Sequence, residues 1–131
     1  MPVVITDNKL CHSIFDEEHK ILRTKYHGLV NKELYIEHLD KLKTLENPII
    51  GSIADFRKLR GSYFKHFNFL EEDAFPAVKM KGFKYVAYLI SDDLIIENVT
   101  HKLVEILRKL NIEAKIFTDP EEAESWLLRK L

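Results

Sequence analysis

Two oppositely charged side chains, Asp55 and Arg57, follow an apolar run and have types and spacing that could do chemistry. The run from Ile49 to Arg57, bounded by Pro48 and Gly61, predicts a buried central strand whose far end opens into a loop. Residues two apart in a strand point to the same side, so the pair could present a guanidinium to a carboxylate or phosphate. A structural ion pair that fixes the following loop is the favoured interpretation.

A basic and aromatic segment, RKLRGSYFKHFNF, covers residues 57–69. Base stacking combined with phosphate neutralisation needs this mixture. The acids Glu71, Glu72 and Asp73 follow directly, and the aromatics fit a helical core face, so a solvated basic loop beside a packed helix is favoured over a nucleic-acid site. The candidate contacts for a ligand or partner are Asp55, Arg57, Lys58, Arg60, Ser62, Tyr63 and Phe64.

The residue types that usually bind metals or act as nucleophiles are scattered. The six histidines lack an HExxH pattern or finger spacing, which predicts no metal site. Cys11 and His12 would lie on opposite faces of a strand, which favours a buried, inert thiol. The four glycines are isolated and form no P-loop or dinucleotide fingerprint. We therefore expect no cofactor and no enzymatic activity.

Length and composition predict one compact domain over residues 1–131, because 46% of the residues are hydrophobic and 31% are charged. A net charge of −1 supplies no global field for nucleic acid or an anionic membrane. No window approaches the apolar length of a membrane span. One cysteine is compatible with a reducing compartment, so a cytoplasmic location is expected.

The elements that must position these residues begin with a predicted hairpin. Its strands are Cys11–Phe15 and His19–His27, with Glu17 and Glu18 at the tip. An open edge there could pair two copies of the chain as a homodimer. The expected register places Ile14 opposite Ile21 and His12 opposite Arg23.

Four helices are predicted along the chain. The first has Asn31 as N-cap, runs to about Leu45 and has a stripe of Tyr35, His38, Leu39 and Leu42. The second lies within residues 58–82, with an approximate capping box at Asn68 and a bend near Pro76. The third follows Ser91-Asp92-Asp93 and ends near Asn111. The last begins at Asp119-Pro120 and buries Ala123, Trp126, Leu127 and Leu131.

Two further apolar strands, Lys84–Ile90 and Ile112–Phe117, alternate with these helices. Strands separated by helices pair in parallel through right-handed crossovers. The fold class is therefore α/β: a single domain with a mixed sheet of about five strands, an N-terminal antiparallel hairpin and about four helices.

This order of elements resembles the SpoIIAA-like proteins, a branch of the STAS-like fold that is also compared with CRAL-TRIO-type lipid carriers. The resemblance covers roughly Tyr26 to Leu131. Its carriers are Gly28-Leu29-Val30, Ala54-Asp55-Phe56-Arg57, Lys84 to Leu89, Ala114 to Phe117 and Glu121 to Leu127. They imply a fold more than an activity.

The sequence departs from the STAS regulators at one position that matters for their function. In STAS regulators that act as anti-sigma factor antagonists, an Asp at the end of the corresponding strand precedes a serine that a partner kinase phosphorylates. Asp55 matches that Asp, but Phe56 and Arg57 follow it, and the next hydroxyl residues are Ser62 and Tyr63. The phosphorylation switch is therefore not expected here.

Three hypotheses remain. The first is a non-enzymatic STAS-like regulatory or protein-interaction module that uses the loop and helix after Asp55. The second is a small carrier or sensor that binds an apolar or amphipathic, lipid-like ligand between the sheet and the segment from Phe64 to Phe75. The third is an enzyme acting through Asp55, Arg57 and a histidine.

Overall fold

A computed structural model describes residues 2–61 and 66–131 of the chain. The strands are β1 (Pro2–Asp7), β2 (Cys11–Asp16), β3 (Ile21–Leu29), β4 (Gly51–Arg60), β5 (Tyr85–Leu89) and β6 (Glu113–Phe117). The helices are α1 (Lys32–Lys43), α2 (Phe67–Phe69), α3 (Phe75–Met80), α4 (Leu94–Lys109) and α5 (Pro120–Lys130). A π-helical turn, Leu70–Ala74, joins α2 to α3.

The strands form one sheet in sequential order, β1-β2-β3-β4-β5-β6. The first three pair antiparallel, and β3 to β6 pair in parallel. The predicted mixed α/β sheet is confirmed, with six strands in the described residues where about five were expected. β4 has a neighbour on each side, so its predicted central place is also confirmed.

The predicted register of the hairpin between β2 and β3 is wrong by two residues. Ile14 pairs with Arg23, and His12 pairs with Lys25. The side chain of Asp16 accepts hydrogen bonds from the backbone of the turn, and Lys20 has a φ of 60°. This left-handed residue makes the turn longer than the two-residue tip that was predicted.

The predicted N-caps of α1, α4 and α5 are confirmed. Asn31 accepts from the backbone of Leu34, and Asp93 and Asp119 accept backbone hydrogen bonds in the same way at their helices. Asn111 has a φ of 61° just beyond α4, which is the left-handed conformation common at helix C-termini. Leu131 is 47% exposed, so its expected burial is wrong, since the chain leaves α5 one residue earlier.

The segment Phe67–Met80 is one helical path interrupted before Pro76. The backbone N–H of Phe75 reaches the carbonyl of Leu70, which is the wider spacing of a π-turn. Pro76 then occupies the first turn of α3, where its missing N–H has no cost. Asn68 lies inside α2 and does not cap it. The predicted role of Phe64 lies outside the described residues.

The sheet buries two separate apolar layers. The larger layer contains residues of α1, the segment Phe67–Met80 and α4 on one face. The smaller one packs Ala123, Trp126 and Leu127 of α5 against Ile53 and Ala87 on the other face. Sequential parallel strands with right-handed crossovers place their connecting helices on one face, which leaves α5 to cover the opposite one.

Candidate functional site

The charged pair on β4 is formed as its spacing predicts. Nη2 of Arg57 lies 2.8 Å from Oδ2 of Asp55, and its Nε and backbone N–H both donate to Oδ1 at 3.0 Å. Burial alone would raise the pKa of Asp55, but the hydrogen bonds from Arg57 outweigh it and hold the pKa below its usual value. Arg57, in the same strand, therefore supplies most of the hydrogen bonds that this carboxylate can accept.

The predicted strand end lies three residues too early. β4 continues to Arg60, and its pairing with β3 shifts between Lys25 and His27. This irregularity lies beside Asp55 and Arg57, where an extra residue in one strand can redirect a side chain. The strand end that carries the basic residues is thus longer and less regular than the sequence indicates.

Beyond the pair, the chain brings three of the predicted contacts to one shallow groove. Arg57, Lys58 and Arg60 line it together with Leu29 and Asp93. Lys58 and Arg60 are exposed, and Leu29 is 73% exposed. The other three predicted contacts, Ser62, Tyr63 and Phe64, lie outside the described residues. A contact role for the whole set stays a prediction.

A second feature is a cavity of about 100 Å³ between the sheet and its larger helix layer. Its floor includes Thr24 of β3 and Ser52 and Ala54 of β4. Thr24 pairs with Ala54, and Ser52 precedes Ala54 by two on the same face. Short side chains at these central positions leave room that longer ones would fill, which explains the cavity physically.

Apolar side chains from three helical regions form the walls of the cavity. They are Leu39 and Leu42 of α1, Leu70, Phe75 and Val78 of the bent segment, and Leu103 and Leu107 of α4. These residues are all buried. The phenylalanine-rich segment Phe67–Met80 therefore covers this part of the sheet.

The cavity has one end that reaches solvent, which we call the mouth. The lining residues that retain partial or full exposure are Tyr26, Val30, Lys32, Tyr35, His66 and Phe69. They belong to the end of β3, the start of α1 and the start of the bent segment. Every other lining residue in the described part of the chain is buried, so within that part the cavity is a blind space that opens at the mouth.

Polar groups inside the cavity differ in how they are satisfied. Thr24 shares a hydrogen bond of 2.8 Å with Ser13, and Nδ1 of His38 lies 2.6 Å from the hydroxyl of Thr6. Burial lowers the pKa of His38 to about 4, so its imidazole is neutral at pH 7. Ser52 is 6% exposed and makes no side-chain hydrogen bond within residues 2–61 and 66–131. Among the described residues, the apolar space thus contains a buried hydroxyl that has no hydrogen-bond partner.

Cys11 is buried, as predicted, and its burial raises the pKa of its thiol to about 12. Such a thiol is almost entirely protonated at neutral pH and is a poor nucleophile.

Three potential metal ligands meet in the described part of the chain, at the turn after β2. One atom from each of Asp16, Glu18 and His19 lies within 4.8 Å of the others. Asp16 already accepts from the ring and backbone of His19, and the hydrogen bond from the His19 ring lowers the pKa of Asp16 to about 2. These contacts close the turn.

The sequence predicted a space between the sheet and the phenylalanine-rich segment, where the cavity lies, but it did not identify the residues of the cavity floor. The signal was present in Ser52 and Ala54, two small residues two apart in a strand otherwise rich in larger apolar side chains. Their meaning depends on Thr24 of the neighbouring strand, and therefore on a register that the sequence did not supply.

No family model matches the sequence, and the comparison with curated proteins finds no similar chain. Among solved structures, the chain is similar to an uncharacterised protein of the DUF3478 family with a SpoIIAA-like fold from Shewanella loihica PV-4, whose crystal structure was determined at 2.25 Å. Sequence identity is 20%, the TM-score is 0.55, and the match covers 97% of this chain and 92% of that chain. The predicted SpoIIAA-like fold is therefore confirmed, as a likeness of fold alone. Within the described residues, no helix is long and apolar enough to cross a membrane.

Proposed function

We propose that this chain is a non-enzymatic binding module that holds an apolar or amphipathic small molecule between the sheet and its larger helix layer. The observation that carries the proposal is the blind cavity with a floor of small residues and apolar walls. Small-molecule sites are typically concave and mostly apolar, with a few polar groups that orient the ligand. The buried hydroxyl of Ser52, without a hydrogen-bond partner in the described residues, is a group of this kind.

Native mass spectrometry of the purified protein tests this proposal, with denaturing spectra as the reference. A ligand retained from the expression host adds mass only under native conditions. The substitution Ser52→Leu places a bulky side chain on the cavity floor and should abolish retention. Ser125→Leu is the matched control, because Ser125 is exposed on α5 at the opposite face of the sheet.

If the purified protein contains no retained ligand, titration with decanoate and decanol provides the test. Wild type and Ser125→Leu should bind at least one of them, and a folded Ser52→Leu protein should bind at least about tenfold more weakly, because the new side chain occupies the ligand volume. Ser52→Val supplies a smaller change if the leucine variant does not fold. Equal binding by wild type and a folded floor variant would contradict the proposal.

A second function, protein interaction, is favoured by the surface at the end of β4. Leu29 is largely exposed beside the basic side chains of Lys58 and Arg60. An exposed apolar residue with cations around it suits an acidic protein surface.

Charge reversal tests this second candidate. The double variant with Lys58→Glu and Arg60→Glu should no longer cross-link to an acidic partner protein that the wild type captures. Lys102→Glu with Lys109→Glu, two exposed positions on α4, should leave the capture unchanged. Identical cross-linked partners for all three proteins would exclude this surface as the docking site.

A further inference from the structure

The face of α1 that lines the cavity changes in polarity along the helix. Lys32, Tyr35, His38 and Leu42 follow one another at spacings of three or four residues, and all four line the cavity. Lys32 is exposed, Tyr35 is half-buried, and His38 and Leu42 are buried. From the mouth inward, the lining therefore passes from a cation through a hydroxyl and a neutral ring to a hydrocarbon.

The cation at the mouth is held in place without being neutralised. Nζ of Lys32 lies 4.7 Å from the centroid of the Phe69 ring, which is a cation–π distance. No carboxylate lies within 4.0 Å of this ammonium in the described part of the chain. Lys32 is also the first residue of α1, where the helix dipole adds partial positive charge.

Tyr35 supplies a hydrogen-bond donor one turn further in. Its hydroxyl makes no hydrogen bond within the described residues, and burial raises its pKa, so it keeps its proton at neutral pH. Its ring centroid lies 6.3 Å from that of His38. The Tyr35 ring therefore belongs to the same lining stripe as Lys32, while its hydroxyl lies in the interior.

The rest of the lining excludes other charges. No aspartate or glutamate is among the described lining residues. His38 is neutral and already bonded to Thr6, so the inner end offers an anion no compensating charge. An ionised group placed there would lose its hydration without a partner, which is strongly unfavourable. Charge on a ligand is thus favoured only at the mouth, and only with a negative sign.

We infer that the ligand is an amphiphile with an anionic oxygen head group, a carboxylate or a phosphate ester, bound at the mouth by the ammonium of Lys32. Its apolar tail runs inward along α1, over Ser52 and towards Leu42. This inference rests on the proposed function, because it assumes that the cavity takes a small molecule at all.

Four probes that share one decyl chain test the head group: decanoate, decyl phosphate, decanol and decylammonium. Calorimetric titration below the micellar concentrations should show one or both anions binding about five- to tenfold more tightly than decanol, as for a partly exposed charge-assisted contact. Decylammonium should bind most weakly. The preferred anion distinguishes a carboxylate from a phosphate head.

Substitution at the mouth assigns the preference to a named group. Lys32→Met should bring the affinities for decanoate and decyl phosphate down to that for decanol. Lys102→Met removes an equal charge from an exposed site on α4 and should change nothing.

The outcomes separate this inference from the proposal beneath it. If none of the four probes binds to folded protein, both fail. If all bind alike, if decylammonium binds best, or if Lys32→Met leaves an anion preference intact, the head-group assignment is overturned while ligand binding stands.

Discussion

The carboxylate of Asp55 is a nearly buried charge whose side-chain hydrogen bonds, within the described residues, all come from Arg57. The arrangement fixes the backbone of residue 57 as well as its side chain. Arg57 remains 42% exposed, so solvent screens the charge part of the interaction. The pair is therefore expected to contribute modestly to stability, whatever else it contacts.

Asp55→Asn should lower the free energy of unfolding at pH 7 by about 0.5–1 kcal/mol. Because the folded pKa of Asp55 lies below its unfolded value, this contribution is complete above about pH 4 and is lost as pH falls through the folded pKa. Urea denaturation at several pH values measures both effects. The exposed Asp92→Asn is the control, and a difference from wild type that persists at low pH would contradict the assignment.

His38 gives a pH dependence of the same sign at the same scale, but in a higher pH window and with burial as its cause. Its pKa falls to about 4 in the folded state through burial, against about 6.5 unfolded. The unfolded chain therefore binds an extra proton between these values, and stability falls as pH decreases through this window. From pH 7 to pH 5 the loss is about 2 kcal/mol.

Replacing His38 by Gln should flatten this part of the stability profile, although it also perturbs the bond to Thr6. Urea denaturation of the variant from pH 5 to pH 7.5 provides the measurement, with the exposed His101→Gln as the matched control. A His38 ring that titrates near pH 6.5 by NMR in the folded protein would refute the prediction.

At the scale of elements, sequence predicted those that carry their own local signals. Asn31, Asp93 and Asp119 have the hydrogen-bonding side chains that helix N-termini require, and each lies where it was expected. The prediction of the turn after β2 failed because Lys20 adopts a left-handed backbone conformation although it is neither Gly nor Asn. No residue type announces that conformation, so the register of the hairpin could not be read from the sequence.

Helix α5 packs closely on β4 at a glycine. A Cβ at Gly51 would lie 2.9 Å from Cδ1 of Leu127, which is fully buried. Gly51→Ala should therefore cost about 1–3 kcal/mol of folding free energy through overpacking. Leu127→Ala should cost about 2–5 kcal/mol alone.

The two changes should not add. Leu127→Ala makes room for the methyl group that Gly51→Ala adds. Leu127→Ala should therefore cost at least about 0.5 kcal/mol less in the Gly51→Ala background than in the wild type. Unfolding free energies of the four proteins complete the cycle. Additive values would mean that the cost of Gly51→Ala does not arise from contact with Leu127.

At the scale of the whole molecule, the cavity is a property of neighbouring strands and three helical regions together. Thr24, Ser52 and Ala54 become one floor only when the parallel register of β3 and β4 is known. The bent segment, which contains the π-turn before Pro76, covers them. Sequence predicted the layers on either side of the cavity, but the volume of the cavity depends on how their side chains meet.

The two faces of the sheet should respond differently to a ligand, because the cavity lies on one face and α5 covers the other. Amide hydrogen exchange in α1 and in the segment Phe67–Met80 occurs through local opening of these elements. Saturating decanoate should slow this exchange, since opening either element would release the ligand. Local exchange in α5 should be unchanged, which makes it the internal control. Ser52→Leu should show no slowing in either place. Equal slowing in α5, or none around the cavity, would place the bound molecule elsewhere on the protein.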